Sequence, residues 1–219
     1  PRCHGTHHEG VTMEYTASLV RLKTDARIAA MRESAKDRRD PVCANETLNY
    51  LLYTVKSLRP RRILEIGTAE GLSGAAMLPA LPDAVLTTVE IDEALYLRAK
   101  KNFEEFGLSS RAHCILGDAA DVLNALDGTF DLVFLDGPKA QYLKYLPDIK
   151  RLLREGGVLF ADDVLLYGWV SGKVPVPQKR HSIVAKLREY LDAVSRDEEL
   201  ITSVLDIGEG VAVSVKVSS

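Results

Sequence analysis

Residues 62–73, Arg-Ile-Leu-Glu-Ile-Gly-Thr-Ala-Glu-Gly-Leu-Ser, decide how this chain folds. Ile63, Leu64 and Ile66 make a short apolar strand, Gly67 and Gly71 turn the chain in a Gly-x-x-x-Gly pattern, and Leu72 and Ser73 open a helix. Glycine supplies the positive-φ conformations that a tight strand-to-helix turn needs, and the helix start beyond it offers free N–H groups to a ligand. Working outward, the same unit recurs. Apolar strands at 62–66, 85–90, 112–116, 132–135 and 158–161 alternate with helical stretches around 72–81, 93–106, 119–126 and 140–154. That alternation predicts a parallel sheet with helices on both faces. Stretches 201–205 and 211–217, facing each other across Asp206-Ile207-Gly208-Glu209-Gly210, add an antiparallel C-terminal hairpin and bring the sheet to seven strands. Upstream, Leu19, Leu22, Ile28 and Met31 suggest a surface helix within 14–36, and Leu48, Leu51, Leu52 and Val55 a second at 45–58 that Pro60 ends.

The 219 residues, 46% hydrophobic and 27% charged, suffice for one full core and exclude a globally disordered or disulfide-dense chain. Residues 1–12, with three of the five histidines, read as an unstructured tail or one foreign to the natural chain, which Met13 would begin. Residues 13–219 then form a single domain, with 13–59 as its helical N-terminal extension. No apolar run reaches the roughly 18–20 residues of a membrane span and no secretory signal is evident, so a cytoplasmic protein with no membrane partner is expected. Cys3, Cys43 and Cys114 are odd in number, widely spaced and without a Cys-x-x-Cys pair, which points to reduced thiols. Lys plus Arg number 28 against 31 Asp plus Glu, a net charge of −3, so the whole chain is no polycation built for nucleic acid. Locally the balance differs: Lys173, Lys179, Arg180, Lys186 and Arg188 fall in a stretch with no acid. Such a stretch suits an anionic partner or a solvated helix face equally well.

In open parallel sheets, ligands bind beyond the carboxyl ends of the strands where the strand order reverses. Polar residues at those ends form a set here. The glycine turn is followed about twenty residues later by Glu90 at the end of the second strand, where a carboxylate can accept both hydroxyls of a ribose. Gly117-Asp118-Ala119 follows the third strand. The second glycine of a dinucleotide fingerprint, which lets a pyrophosphate approach, is replaced by Ala69, so a ligand with a ribose but no pyrophosphate fits better than NAD. S-adenosylmethionine (SAM) is such a ligand, its carboxylate reaching the helix start and Ser73. Asp136 ends strand four, and Asp162 and Asp163 end strand five. Each alone reads equally well as a helix cap or loop acid, but three converging carboxylates need a cation or raised pKa values, and all-oxygen ligands point to Mg²⁺. Lys139, three residues past Asp136, reads either as an ordinary surface lysine or, beside a metal-bound hydroxyl, as a proton-accepting amine with a lowered pKa. Asp131, at the start of strand four, reads as structural.

Together, 65–73, Val89-Glu90-Ile91-Asp92, Gly117-Asp118-Ala119, Asp136-x-x-Lys139 and Asp162-Asp163 resemble the metal-dependent class I O-methyltransferases, the group of catechol and caffeoyl-CoA O-methyltransferases, over nearly the whole chain after Asp40. Lys179-Arg180-His181 and the ending 207–212 look most like the bacterial tRNA 5-hydroxyuridine methyltransferases. The resemblance implies a Rossmann-like methyltransferase fold and SAM contacts from Cys43, Glu65, Gly67, Ser73, Glu90, Asp118, Ala119 and Asp136. It implies Mg²⁺, or Mn²⁺ or Ca²⁺, on Asp136, Asp162 and Asp163, catalysis by Lys139 and Asp136, and a homodimer through the N-terminal helices. One departure stands out: the family has Asp-Asn where this chain has Asp162-Asp163, which adds a negative charge.

The expected reaction is an in-line displacement in which a metal-chelated acceptor hydroxyl attacks the sulfonium methyl. Its acceptor would be the 5-hydroxyl of 5-hydroxyuridine in tRNA, with Lys179 and Arg180 at the rim of the site. A small catechol-like or phenolic acceptor is the alternative, and a non-catalytic nucleic-acid-binding protein with this fold a remote one.

Overall fold

The computed structural model describes residue 15, residues 18–38 and residues 42–218. The expected tail over 1–12 with Cys3, the start at Met13, and Pro41 lie outside the described residues. Seven strands, β1 (Arg62–Ile66), β2 (Val85–Glu90), β3 (Ala112–Leu116), β4 (Phe130–Leu135), β5 (Leu153–Ala161), β6 (Leu200–Leu205) and β7 (Val211–Lys216), form one sheet in the order β3-β2-β1-β4-β5-β7-β6. β1 to β5 pair in parallel, and β7 runs antiparallel between β5 and β6. The expected Rossmann-like sheet with a C-terminal hairpin is therefore present.

Among the described residues, seven α-helices pack around it: α1 (Ala26–Arg38), α2 (Asn45–Leu58), α3 (Leu72–Met77), α4 (Glu93–Glu105), α5 (Ala119–Ala125), α6 (Tyr142–Leu152) and α7 (His181–Arg196). Side chains alternate along each strand, so every buried strand feeds two cores. Leu64, Ile66, Val133, Leu135 and Leu159 pack with α5, α6 and α7 on one face. Ile63, Leu86, Leu132, Phe134 and Phe160 pack with α1 to α4 on the other. Among the described residues, no helix is long and apolar enough to cross a membrane.

Boundaries differ from the sequence pattern where a particular residue intervenes. α1 starts only at Ala26, because the Asp25 carboxylate caps it by accepting the Arg27 amide at 2.9 Å. Leu19, expected on this helix, is exposed instead. The helix expected over 72–81 is α-helical to Met77 and then tightens into a 3₁₀ turn, Leu78–Ala80, around Pro79, which has no N–H to continue the ladder. β5 starts at Leu153 rather than 158, passing Gly156 at φ +69° through a register irregularity against β4. Asp131 lies inside β4, where one carboxylate oxygen accepts the Arg61 and Arg62 amides at 2.8 Å each and the other pairs with Arg154. That supports its reading as structural.

Candidate functional site

From β1 the chain builds outward through β2 and β3, then crosses back to lay β4 on the other side of β1. The crevice at the carboxyl ends of β1 and β4 is the switch point where such sheets hold ligands. Gly67, just past β1, has φ +99°, and a Cβ there would sit 2.5 Å from the Asp136 carbonyl oxygen. Only glycine lets the two strand ends close to this distance. Gly71 opens α3 at φ +83°, and between the glycines Ala69 also takes a left-handed conformation, φ +46°, which is unfavourable for alanine. The Ala69 amide donates to Glu90 Oε2 at 2.8 Å, while Glu90 Oε1 accepts the Ile91 and Asp92 amides at 2.9 Å. A carboxylate has about four acceptor positions. Three are occupied, so Glu90 as placed has room for one further donor, where the sequence suggested both hydroxyls of a ribose. Cys43, Ser73, Asp136 and the loop after Gly67 wall the cleft. Asp118 sits exposed and caps α5 through the Ala120 amide at 2.8 Å, Ala119 is buried, and Gly117 donates to the Glu90 carbonyl at 2.9 Å.

Below the glycine loop lies a polar network. Glu65 is fully buried; Ser73 Oγ donates to its Oε1, and Thr88 Oγ1 donates to its Oε2 at 2.6 Å. Thr68 Oγ1 lies 2.6 Å from Thr88 Oγ1. Burial pushes the Glu65 pKa up to about 7, although both hydroxyl bonds oppose it. With its proton spent on Glu65, Ser73 is an acceptor toward the cleft when Glu65 is ionised, and becomes free to donate when Glu65 is protonated.

At the ends of β4 and β5 the expected acids do converge. Lys139 Nζ lies 2.6 Å from Asp136 Oδ1 and 3.0 Å from Asp163 Oδ2. Asp162 is buried, its Oδ1 accepts the Asp163 amide at 2.7 Å, and its Oδ2 has no hydrogen-bond partner. Burial, then the Asp136 and Asp163 charges, push the Asp162 pKa up to about 7, and burial raises Asp136 as well. Asp163 takes the left-handed region at φ +57°, which Asp and Asn tolerate better than most residues. The Cys43 thiol is raised by burial and then by Asp162 and Asp136, so it stays neutral. Burial pulls the Lys139 pKa down, whereas Tyr142, Asp136 and Asp163 push it up, and with both acids facing the amine the balance is upward. Three carboxylates with one orphaned buried oxygen fit a hard divalent cation in their chemistry. Among the described residues, no three His, Cys, Asp or Glu side chains are arranged to hold a metal, and the Lys139 ammonium bridges two of the acids instead.

The acid-free stretch is partly committed elsewhere. Lys173 pairs with Asp206, and Arg188 donates to the Val170 carbonyl at 3.1 Å. Lys179 and Arg180 are exposed in the 3₁₀ turn Gln178–Arg180 that leads into α7, and α7 packs on the turn carrying Lys139. A roomier cavity, about 440 Å³, lies at the opposite end of β5, but its cations are already satisfied: Lys150 by Asp197 and Glu199, Lys216 by two carbonyls. The sequence reading missed Thr68 and Thr88, which carry no charge to mark them. It also missed Glu209, whose carbonyl and carboxylate hold the amides of Leu165, Leu166 and Tyr167 just past Asp163.

A family model described as O-methyltransferase matches residues 18–217. An inferred O-methyltransferase of Mycobacterium avium (strain 104) is 32% identical over 198 residues, 89% of this chain and 87% of that protein. An inferred caffeoyl-CoA O-methyltransferase from Staphylococcus aureus superposes with a TM-score of 0.85 at 28% identity, over 94% of this chain and 99% of its own. The O-methyltransferase TomG from Streptomyces achromogenes, involved in tomaymycin synthesis and solved with SAM, gives 0.79 at 25% identity, over 95% and 96%.

Proposed function

The chain belongs to the O-methyltransferase family, and on that premise we propose that it moves the methyl group of SAM to a hydroxyl that has a second oxygen beside it. The observation that carries this reading is the meeting, at one switch point, of the Gly67 turn, the Glu90 strand end and the Asp136–Lys139–Asp163 cluster. SAM, bound in TomG, supplies an already activated methyl group. Glu90 and the glycine loop would orient its ribose, and Asp136 with Ser73 would meet its amino-acid end. Lys139, beside Asp136 and Asp163, would stand where the acceptor hydroxyl must lose its proton. Asp136, Asp162 and Asp163 would hold Mg²⁺, with Mn²⁺ or Ca²⁺ as alternatives; such an ion makes a chelated hydroxyl more acidic.

For the acceptor we propose 5-hydroxyuridine in tRNA, whose O5 and O4 are neighbours, in a cytoplasmic homodimer. Exposed Lys179 and Arg180, at the head of the helix packed on the Lys139 turn, support a polyanionic acceptor. A small phenolic acceptor is the second reading, favoured by the caffeoyl-CoA and tomaymycin names of two structural relatives. Methyl-labelled SAM, incubated with tRNA bearing 5-hydroxyuridine and with a catechol panel, separates them. Label in tRNA alone supports the first reading, and label in the phenols alone overturns it. Membership of an enzyme family leaves no place for the non-catalytic alternative.

A further inference from the structure

Apart from the acids Glu70 and Asp136, the side chains lining the cleft that have a proton to give are Cys43, Thr68 and Ser73. The Cys43 thiol faces the Ala44 carbonyl at 3.5 Å. Thr68 is 1% exposed, and because Thr88 gives its own hydrogen to Glu65 Oε2, the Thr68 hydrogen goes to Thr88. Ser73 remains, and its hydrogen goes to Glu65 Oε1. Three hydroxyl hydrogens therefore point toward one buried carboxylate. A ligand carboxylate arriving at Ser73 would meet an oxygen whose hydrogen is turned away, with a buried negative charge behind it. One proton resolves the conflict. On Glu65 Oε1 it lets the carboxyl group donate to Ser73, whose own hydrogen then turns to the cleft. On Oε2 it would instead reverse Thr88 and Thr68, both almost wholly buried, and leave Ser73 turned to Glu65. The groups around Glu65 favour the protonated form. Burial already holds its pKa at about 7, the Asp136 and Glu90 charges at the ends of β4 and β2 oppose its ionisation, and the Cys114 thiol on β3, pushed up to about 11 by burial, is neutral.

We propose that Glu65 is a positioning residue: binding of the SAM carboxylate at Ser73 draws one proton onto Glu65, and that proton turns the Ser73 hydroxyl toward the cofactor. The identity of the ligand rests on the functional reading above. The ammonium group of SAM has acceptors of its own in Asp136 and Glu70, which leaves the hydroxyl to the carboxylate. One proton from solvent ends on Glu65, the carboxyl group donates to Ser73, and Ser73 donates to SAM; no other bond forms or breaks. Below the pKa of free Glu65 the proton is already in place. Above it each SAM bound takes one up, so the apparent affinity falls by up to about tenfold per pH unit.

Calorimetry of SAM binding to the full-length protein at pH 6 and pH 8, each in two buffers of different ionisation enthalpy, counts the protons. The wild type should take up most of one proton per SAM at pH 8 and far less at pH 6. In Glu65→Gln the amide donates to Ser73 at every pH, so this uptake should vanish and SAM should bind at pH 8 about tenfold more tightly than to the wild type. Titration of SAM itself is common to both proteins and drops out of the difference. Ser73→Ala, which cuts the link but leaves Glu65 buried, should also lose the uptake, with weaker binding. A Glu65 that only propped the glycine loop would alter affinity in the Gln variant without altering the proton count. Should Glu65→Gln fail to fold, the wild type against Ser73→Ala decides. Equal counts in the wild type and Glu65→Gln at pH 8, or an uptake that survives in Ser73→Ala, overturn the proposal while SAM binding itself still stands. No SAM binding in any buffer overturns the functional reading, and this inference with it.

Discussion

Replacing Glu65 by Gln isolates the energetics of the network beneath the glycine loop. Glu65 is fully buried and its pKa stands at about 7 in the folded chain against 4.5 for the free side chain, with burial as the main cause. A carboxyl group whose folded pKa is raised supports stability fully below its unfolded pKa and loses that contribution as pH rises through the folded value. The shift, 7 − 4.5, is 2.5 units, so the wild-type chain gives up about 3 kcal/mol of stability between about pH 4.5 and pH 7 through this one group. Glutamine does not titrate. It can still accept from one of the Ser73 and Thr88 hydroxyls and donate to the other, and any mismatch adds an offset that does not change with pH. Asp162, also raised to about 7, titrates in both proteins and largely cancels in the difference. Urea unfolding of the two proteins at several pH values from about 4.5 to 8 measures that difference. The variant should gain on the wild type by about 3 kcal/mol across the range, most of it below pH 7. A difference that stays flat with pH would refute a buried, proton-sharing Glu65.

Three further outcomes follow from the cleft. Gly67→Ala forces a Cβ to within 2.5 Å of the Asp136 carbonyl at φ +99°, and chemical denaturation should show a loss of about 1–3 kcal/mol or more. Glu90→Ala removes the acceptor for the Ala69, Ile91 and Asp92 amides as well as any ribose contact; calorimetry should find SAM binding weaker by roughly 1–3 kcal/mol, and unchanged affinity would contradict the cofactor placement. Reversing Lys179 and Arg180 to Glu should cripple methylation of tRNA and flatten its salt dependence while sparing a free catechol, because both residues are exposed and hold no part of the core.

The sheet, its hairpin and the strand ends that carry the acids were readable because apolar runs of strand length alternate with amphipathic stretches, and the glycine turn marks where the first unit closes. Element ends were less readable, since they depend on single residues such as the Asp25 cap and Pro79. The convergence of Asp136, Asp162 and Asp163 follows from adjacent parallel strands ending at one edge. What they do to Lys139 does not: a lowered lysine pKa is expected from burial alone, and only the observed distances to Asp136 and Asp163 show that the carboxylates win. Likewise five basic residues in an acid-free stretch look free in the sequence, but tertiary contacts spend Lys173 on Asp206 and Arg188 on backbone carbonyls.

The central claim, O-methyl transfer at the Asp136–Lys139–Asp163 cluster, is tested most directly by transfer of label from methyl-labelled SAM to an acceptor with adjacent oxygens, run with the wild type, Asp136→Ala and excess chelator side by side. The account expects label on the acceptor oxygen with the wild type alone, and its loss in both other arms although Asp136→Ala remains folded. Undiminished transfer by Asp136→Ala, or label on a nitrogen or carbon of the acceptor, would contradict it.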